Sequence, residues 1–428
     1  MRLTPPRIIL AISLTLASGL QTAHARGDIE YAPYRFQSYD ALDAEWSSPP
    51  VEVPSIESYL SQQATSHNGM QVAKVLESAL KRSLESGELT SEQIKALQTL
   101  GDAIVQQPGA MGAVLEQLAG SQNANLAAAT QATTQQLGNQ LLSTLRSLPT
   151  DEDGHFWVQG VGHDGTLDGQ GGSNGLKHGD RGLLLGADWA VDHAWRVGIM
   201  GAKTTSRFDA SRFAGDLDSW HLGGYAVRQD GPLALRLGAI YSRHDGQNTR
   251  TVQILDTQQS LVGNYNAQSQ TVFSEMGYQL GSEAIDVEPF AGLGYQRYQR
   301  DRYKENGGVT ALNVGSQTQQ NLSSTLGLRL ATLYRFDNRM SLRPHLSTGW
   351  KHLYGTVDSQ VRQSSRALPV GIDSFTVNGT SLDRNSLDLQ AGLDLGLSAQ
   401  HTVGLTYSGQ AGTHSRDQGL MGQWRMSF

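Results

Sequence analysis

The chain has 428 residues, 48 of them glycine and none cysteine, with 17% charged residues and a formal net charge of -7. Without cysteine there is no disulfide scaffold, no CxxC redox pair and no thiolate metal site. Aperiodic glycine excludes collagen, the 38% hydrophobic share excludes a charge-rich disordered chain, and the acidic balance argues against a nucleic-acid partner.

Residues 1–25 read as a secretory signal peptide. Arg2 and Arg7 supply the positive start, Ile8 to Leu20 an apolar stretch without charge, and Ala23-His24-Ala25 the small-x-small pattern, with cleavage expected after Ala25. The competing reading is a buried N-terminal helix. Arg26-Gly27-Asp28 would then open the mature chain, a candidate integrin-type ligand of a kind that also arises by chance. Ser47 to Pro54 is proline-rich and reads as extended chain or linker. From Asn68 to Leu148 apolar residues recur at helical spacing: Val72, Val75, Leu76 and Leu80, then Leu97, Leu100 and Ile104, then Leu137, Leu141, Leu145 and Leu148. Thr90 and Gln93 suit a capped helix start in this stretch.

Composition changes near residue 150, beyond which lie 39 of the 48 glycines and six of the seven tryptophans. There the apolar residues alternate with period two, as in Leu233-Leu235-Leu237 or Leu387-Leu389-Ala391-Leu393-Leu395. About twelve strands are predicted: 156–164, 179–189, 194–206, 216–228, 231–243, 265–281, 285–301, 319–336, 339–355, 384–398, 400–412 and 418–428. No run of about 18 apolar residues follows the signal segment, so no membrane helix is expected. A closed barrel is the other way to satisfy a backbone in lipid, and its apolar residues hide in alternation. Tight turns such as Gln229 to Gly231 and Asp337-Asn338 alternate with longer polar loops at 244–264, 302–318 and 356–383. That sorting suits an outer-membrane barrel, whereas a soluble sandwich has no reason for it. Trp189, Trp195, Trp350, Tyr354, Tyr407 and Trp424 fall near strand ends, as an interfacial girdle would, although β-propensity also favours aromatics.

The expected fold is therefore an all-β transmembrane barrel of about twelve antiparallel strands with a helical segment threading or preceding the pore. Such a barrel has room for a helix of roughly 10–12 Å. Gln122 to Leu148, rich in Ala, Gln, Asn and Thr, would run on the order of 35–40 Å through an apolar band about 25 Å tall. Arg236, Arg329, Asp388, Asp394 and Arg425 alternate with the apolar set. They are expected to face the lumen, bonding this helix or bracing the wall.

Several stretches occur in a specific order. They are Phe156 to Gly160, Gly182 to Asp188 (GLLLGAD), Trp195 to Gly198, Asp218 to Tyr225 (DSWHLGGY), Leu233 to His244, Val287 to Tyr295 (VEPFAGLGY) and Leu405 to Gln410. Together they make Asp151 to Phe428 resemble the C-terminal translocator of the autotransporters, the type V secretion family. Gly112 to Leu145 is similar to the helical run ahead of the translocator in pertactin-like members. The resemblance implies a barrel over 151–428, a linker and pore helix over 121–150, and a short, partly helical passenger over 26–120. It implies export by the general secretion pathway, insertion among outer-membrane lipids, and a C-terminal strand read by the barrel-assembly machinery through Trp424, Met426 and Phe428. The passenger would reach the cell surface, and adhesion to a host-cell receptor through Arg26-Gly27-Asp28 is the expected role, with virulence as its context. Family passengers are usually long repetitive β-helices, and residues 26–150 contain no such repeat. The alternative is a plugged pore or structural barrel that displays nothing.

No enzymatic activity, metal or cofactor is expected. Gly27-Asp28 is followed by Ile29, so the esterase GDS block lacks its serine. The histidines show no ligand spacing, and Gly169 to Gly175 lacks the lysine of a phosphate loop. Asp164, Asp180, His244 and Asp245 would be the polar loop residues of an enzyme, without spacing to support one. Asn123-Ala124-Asn125 lies where some family members cut themselves inside the pore; lacking their paired asparagine, it reads as a helix cap.

Overall fold

The computed structural model describes residues 58–85, 109–148, 154–255, 257–281, 285–337, 340–366 and 374–428. Arg26, Gly27 and Asp28, the signal segment and the helix start at Thr90 lie outside the described residues.

Twelve long strands close into one antiparallel ring: β1 (His155–Leu167), β2 (Leu176–Ala190), β3 (Trp195–Ala210), β4 (Phe213–Asp230), β5 (Leu233–Ile254), β6 (Thr257–Tyr278), β7 (Ile285–Arg300), β8 (Gln317–Thr332), β9 (Ser341–Tyr354), β10 (Asn385–Gly396), β11 (His401–Gly412) and β12 (Ser415–Ser427). Closure is made by the first and last strands, paired in one unbroken register from His155↔Ser427 to Leu167↔Ser415. A closed ring leaves no open edge, which is what lets strands stand in lipid. Along β2, Leu183, Leu185 and Trp189 point outward and are about half exposed, while Leu184 between them is fully buried. The same alternation puts Leu222, Leu293, Leu326, Leu393 and Leu405 on the outside.

Glycine abundance has a packing cause. Trp157 lies opposite Gly186, Tyr225 opposite Gly198, Phe273 opposite Gly238 and Phe290 opposite Gly327 on neighbouring strands. A Cβ on any of these glycines would collide with the facing ring. Each aromatic ring thus lies flat across a bare stretch of backbone and fills lumen wall that a side chain would otherwise occupy.

Four helices precede the ring: α1 (Tyr59–Gln63), α2 (His67–Glu85), α3 (Ala110–Ala119) and α4 (Gln122–Ser147). Gly120, with φ +58°, ends α3 in the left-handed conformation that glycine adopts without strain, so α4 can start two residues later. α4 enters the lumen at the end of the barrel with the longer connections and finishes at the end with short turns. Leu137, Leu141 and Leu145 form its apolar stripe against Trp157, Val161, Leu184, Met200, Tyr225 and Ile240 of β1–β5. Its polar side faces β7–β12, where Gln131 Nε2 donates to Gln319 O at 3.3 Å and Gln135 Nε2 to Gln410 Oε1 at 3.2 Å. No helix among the described residues is long and apolar enough to cross a membrane.

Two expectations need correction. Residues 244–264 are not a loop: β5 and β6 are 22 residues each and continue as a ladder to the pair Ile254↔Thr257. At roughly 3.3 Å per residue each spans on the order of 70 Å, well past an apolar band about 25 Å tall. The physical reason lies in the helices. Phe208, Phe213, Val252, Ile254, Leu261 and Tyr265 on the strand extensions are buried in one apolar core with Leu60, Val72, Leu76, Leu115 and Leu118. α1–α3 therefore sit on the long-connection mouth as a cap. Loops 302–318 and 356–383 are likewise partly ordered, through short strands at Tyr303–Asn306, Leu312–Val314, Gln360–Ser365 and Phe375–Asn378. Asn68 pins α2 to the last of these, its Nδ2 donating to Asn378 O and its Oδ1 accepting from Asn378 N, both at 2.8 Å.

Candidate functional site: the plugged lumen

Polar layers at the two ends of the lumen hold α4 inside the ring. At the short-turn end Arg146, in the last turn of α4, donates from Nε to Glu275 Oε1 at 3.0 Å and from Nη1 to Gln390 Oε1 at 3.0 Å. Glu275 also accepts from Arg236 at 3.1 Å and Arg329 at 3.2 Å, and both arginines reach Glu288, at 2.6 and 3.0 Å. Three guanidinium groups and two carboxylates thus share one buried cluster. Arg425 caps the helix, donating from Nη1 to the carbonyl of Ser147 at 2.6 Å. That carbonyl belongs to the last turn, which has no intrahelical donor left.

Of the residues expected to face the lumen, Arg236, Arg329, Asp394 and Arg425 are buried on the inner wall. Only Arg425 bonds α4 directly. Arg236 and Arg329 brace the helix through Glu275, and Asp394 accepts from Gln423 at 2.8 Å within the wall. Asp388 lines a cavity of about 110 Å³ between α4 and β6–β10, with Gly138, Phe273, Phe290 and Lys351. Its Oδ1 has no partner among the described residues. Trp424 and Phe428 are exposed on the outer face of β12, while Met426 is half-buried there. Glu275, Glu288 and Arg146 were missed from sequence. Glu275 interrupts no alternation and Arg146 sits in a helical register, so only the charge balance of the inward set could have pointed to them.

At the long-connection end Asn123 is wholly buried. Its Nδ2 donates to Glu305 at 3.1 Å and Gln363 at 2.9 Å, while its Oδ1 accepts from Asn248 and from the Tyr303 hydroxyl, both at 3.0 Å. Arg300 donates to the Asn123 carbonyl at 2.8 Å. Asn125 Oδ1 accepts from Thr380 N at 2.6 Å. The expected capping role is therefore replaced: Ser121 holds the cap position, and both asparagines, already inside the first turn, reach for the wall. Among the described residues no group of three or more His, Asp or Glu is arranged to hold a metal ion.

A closed twelve-stranded ring, apolar outside, with a polar helix through its lumen, defines a bacterial outer-membrane translocator barrel. Residues 156–408 match the family "Autotransporter beta-domain", and the chain belongs to the autotransporters of type V secretion. It is 31% identical over 280 residues to an extracellular serine protease of Serratia marcescens, covering 65% of this chain and 26% of that protein. The chain thus spans about a quarter of the length of that relative. Among solved structures, the translocator domain of the autotransporter NalP from Neisseria meningitidis shares the fold, at TM-score 0.58 and 15% identity over 72% of this chain and 99% of that one. The beta domain of the Bordetella autotransporter BrkA aligns at TM-score 0.49 and 20% identity, covering 65% of this chain and all of the other. The outer membrane is accordingly the home of the barrel.

Proposed function

We propose that the chain is exported by a cleaved signal segment (1–25) and holds residues 26–120 at the cell surface as a short passenger. The supporting observation is the direction of α4. Its first turn sits at the long-connection mouth, so the chain before it emerges there and packs as the α1–α3 cap. Antibodies raised against residues 26–120 are expected to label intact cells. Labelling only after the outer membrane is opened would favour the rival, a plugged barrel that displays nothing.

Adhesion to host cells through Arg26-Gly27-Asp28 is the proposed role of the displayed segment. Asp28→Glu should lower binding to cultured cells at equal surface amounts, and unchanged adherence removes the idea. The Serratia relative is named for protease activity, but it is matched over only a quarter of its length. The chain itself is proposed to be no enzyme. Ser219 Oγ and His244 Nδ1 lie 2.7 Å apart, yet the other imidazole nitrogen bonds Ser269 at 2.8 Å, so no carboxylate orients the ring.

A second reading is favoured by the surroundings of Asn123: a single self-cleavage at the Asn123–Ala124 bond. Nδ2 would attack the Asn123 carbonyl carbon and give its proton to Glu305. Arg300 would hold the oxygen as it gains charge, and the nitrogen of Ala124 would leave with the proton that Glu305 had taken, which restores the carboxylate. The upstream piece would end in a succinimide, and the cap core would keep it docked. Mass spectrometry of the purified chain tests this: two co-purifying pieces that become one in Asn123→Ala are expected, and an uncut wild-type chain contradicts it.

A further inference from the structure

The outer face of β3–β5 carries an unpaired cationic seat at the upper edge of the apolar band. Lys203, Trp220 and Arg243 are direct neighbours in register on three successive strands, all exposed. Lys203 Nζ lies 5.3 Å from the centre of the Trp220 ring. Among the described residues no carboxylate comes within 4.0 Å of either Lys203 or Arg243. One step toward the barrel centre the same strands turn apolar or aromatic, with Leu222 68% and Tyr241 47% exposed. One step the other way Asp218 faces Asp245, and Thr205 donates to Asp218 at 3.0 Å. On β4 and β5 an anion is thus repelled by the rung above, whose one cation, Arg181, stands two strands away on β2, and it is excluded by apolar side chains below. Its stable depth is the rung of Lys203 and Arg243.

Cations at a membrane edge often do no more than keep their charge in water. Two comparisons argue for more. The same rung continues with neutral Leu183 on β2 and neutral Gln268 and Gln299 on β6 and β7, so the charge is local to three strands. At the short-turn end a similar cation–ring pair, Arg228 over Trp195 at 5.9 Å, is already neutralised by Asp230 at 2.7 Å. Of these two cation–ring pairs, the one on the long-connection side has no carboxylate partner among the described residues.

We propose that Lys203, Trp220 and Arg243 bind a phosphate of a phosphorylated saccharolipid in the leaflet around the long-connection end. Lys203 and Arg243 would grip the phosphate from two sides, and the Trp220 ring would carry the sugar or the first acyl carbons. Charge-assisted bonds to phosphate are short and strong where the acyl chains exclude bulk water. The proposal rests on that end facing the outer leaflet, which in this membrane is built from such lipids. Binding in detergent is read independently of orientation on cells, so the two readings fail separately.

The test uses the full chain in neutral detergent, with native mass spectrometry after addition of bisphosphorylated lipid A, its dephosphorylated form, or phosphatidylglycerol. One retained bisphosphorylated lipid per barrel is expected, with at least about tenfold weaker retention of the other two. Lys203→Gln combined with Arg243→Gln should lose that preference about tenfold, while Arg228→Gln at the opposite end keeps it. Both side chains point outward, so folding should persist. Resistance to unfolding in cold SDS checks this, and the single variants serve if the pair fails to fold. Equal retention of all three lipids, or an unchanged preference in the variants, overturns the proposal.

Discussion

Arg146 of the pore helix and Glu275 of β6 form the one direct ion pair in the described lumen between helix and wall, at 3.0 Å from Nε to Oε1. Glu275 also holds Arg236 and Arg329. The helix is thereby tied to the same carboxylate that keeps two wall arginines from repelling each other.

Replacing Glu275 with Gln would leave Arg146, Arg236 and Arg329 around Glu288 alone. Breaking a buried ion cluster by removing one partner costs about 3–5 kcal/mol. The heat at which the barrel loses its compact mobility in SDS should fall clearly. Arg146→Met, which removes the excess positive charge, should cost less. Equal effects of the two would mean that the cluster does not brace the wall.

Gly238 on β5 lies under the ring of Phe273 on β6. A methyl at Gly238 must displace that ring, and overpacking typically costs about 1–3 kcal/mol. Gly238→Ala should lower the yield of folded barrel in refolding into detergent, with partial recovery in Gly238→Ala combined with Phe273→Leu. No recovery would place the defect in the backbone rather than the ring.

The cap responds to pH through Glu116 on α3. Burial raises its pKa, outweighing the hydrogen bonds from Ser66 and Gly69. The docked cap binds this proton more tightly than the undocked one, so docking should weaken as pH rises through the carboxylate range and be firmest below it. Hydrogen exchange of α2 and α3 at several pH values reads this. Glu116→Gln should flatten the dependence, and a profile unchanged in that variant contradicts it. Asp192, in the β2–β3 turn, acts oppositely. The amides of Ala194 and Trp195 lower its pKa, so its contribution is present above the ordinary aspartate range and lost as pH falls.

Asn68 offers a sharper lever on the cap. Removing both of its bonds to Asn378 by Asn68→Ala should cost roughly 1 kcal/mol or somewhat more, because the half-buried backbone groups of Asn378 lose these partners. Faster exchange confined to α2 and Phe375–Asn378 is the expected signature. Unchanged exchange there would show that the apolar core alone docks the cap.

The ring was legible in sequence because every strand in lipid repeats one rule, outward apolar and inward polar or small, and twelve repetitions leave little ambiguity. Inward Arg236 and Arg329 could be read from that alternation, but their partners could not. Glu275 and Glu288 acquire meaning only when β6, β7 and β8 are brought side by side. The stretch 244–264 failed for a related reason. Its inward residues are His244, Asn248 and Arg250, polar enough to read as loop. They are buried because α4 fills the lumen beside them, with Asn248 bonded to Asn123, and because α3 covers the mouth, where Arg250 donates to the Gln117 carbonyl. Asn123 was misassigned because an asparagine near a helix start has two uses, cap or wall contact, and only the lumen geometry chooses.

The most direct measurement exploits the cysteine-free chain. Lys74 on the exposed side of α2 and His193 in the β2–β3 turn lie at opposite ends of the barrel. Each is replaced singly by Cys and treated with a membrane-impermeant maleimide on intact cells. Labelling of Lys74→Cys alone, with His193→Cys reacting only after the outer membrane is opened, is the predicted result. Labelling of His193→Cys on intact cells, with Lys74→Cys protected, would contradict a helix that carries the chain through the ring to the surface.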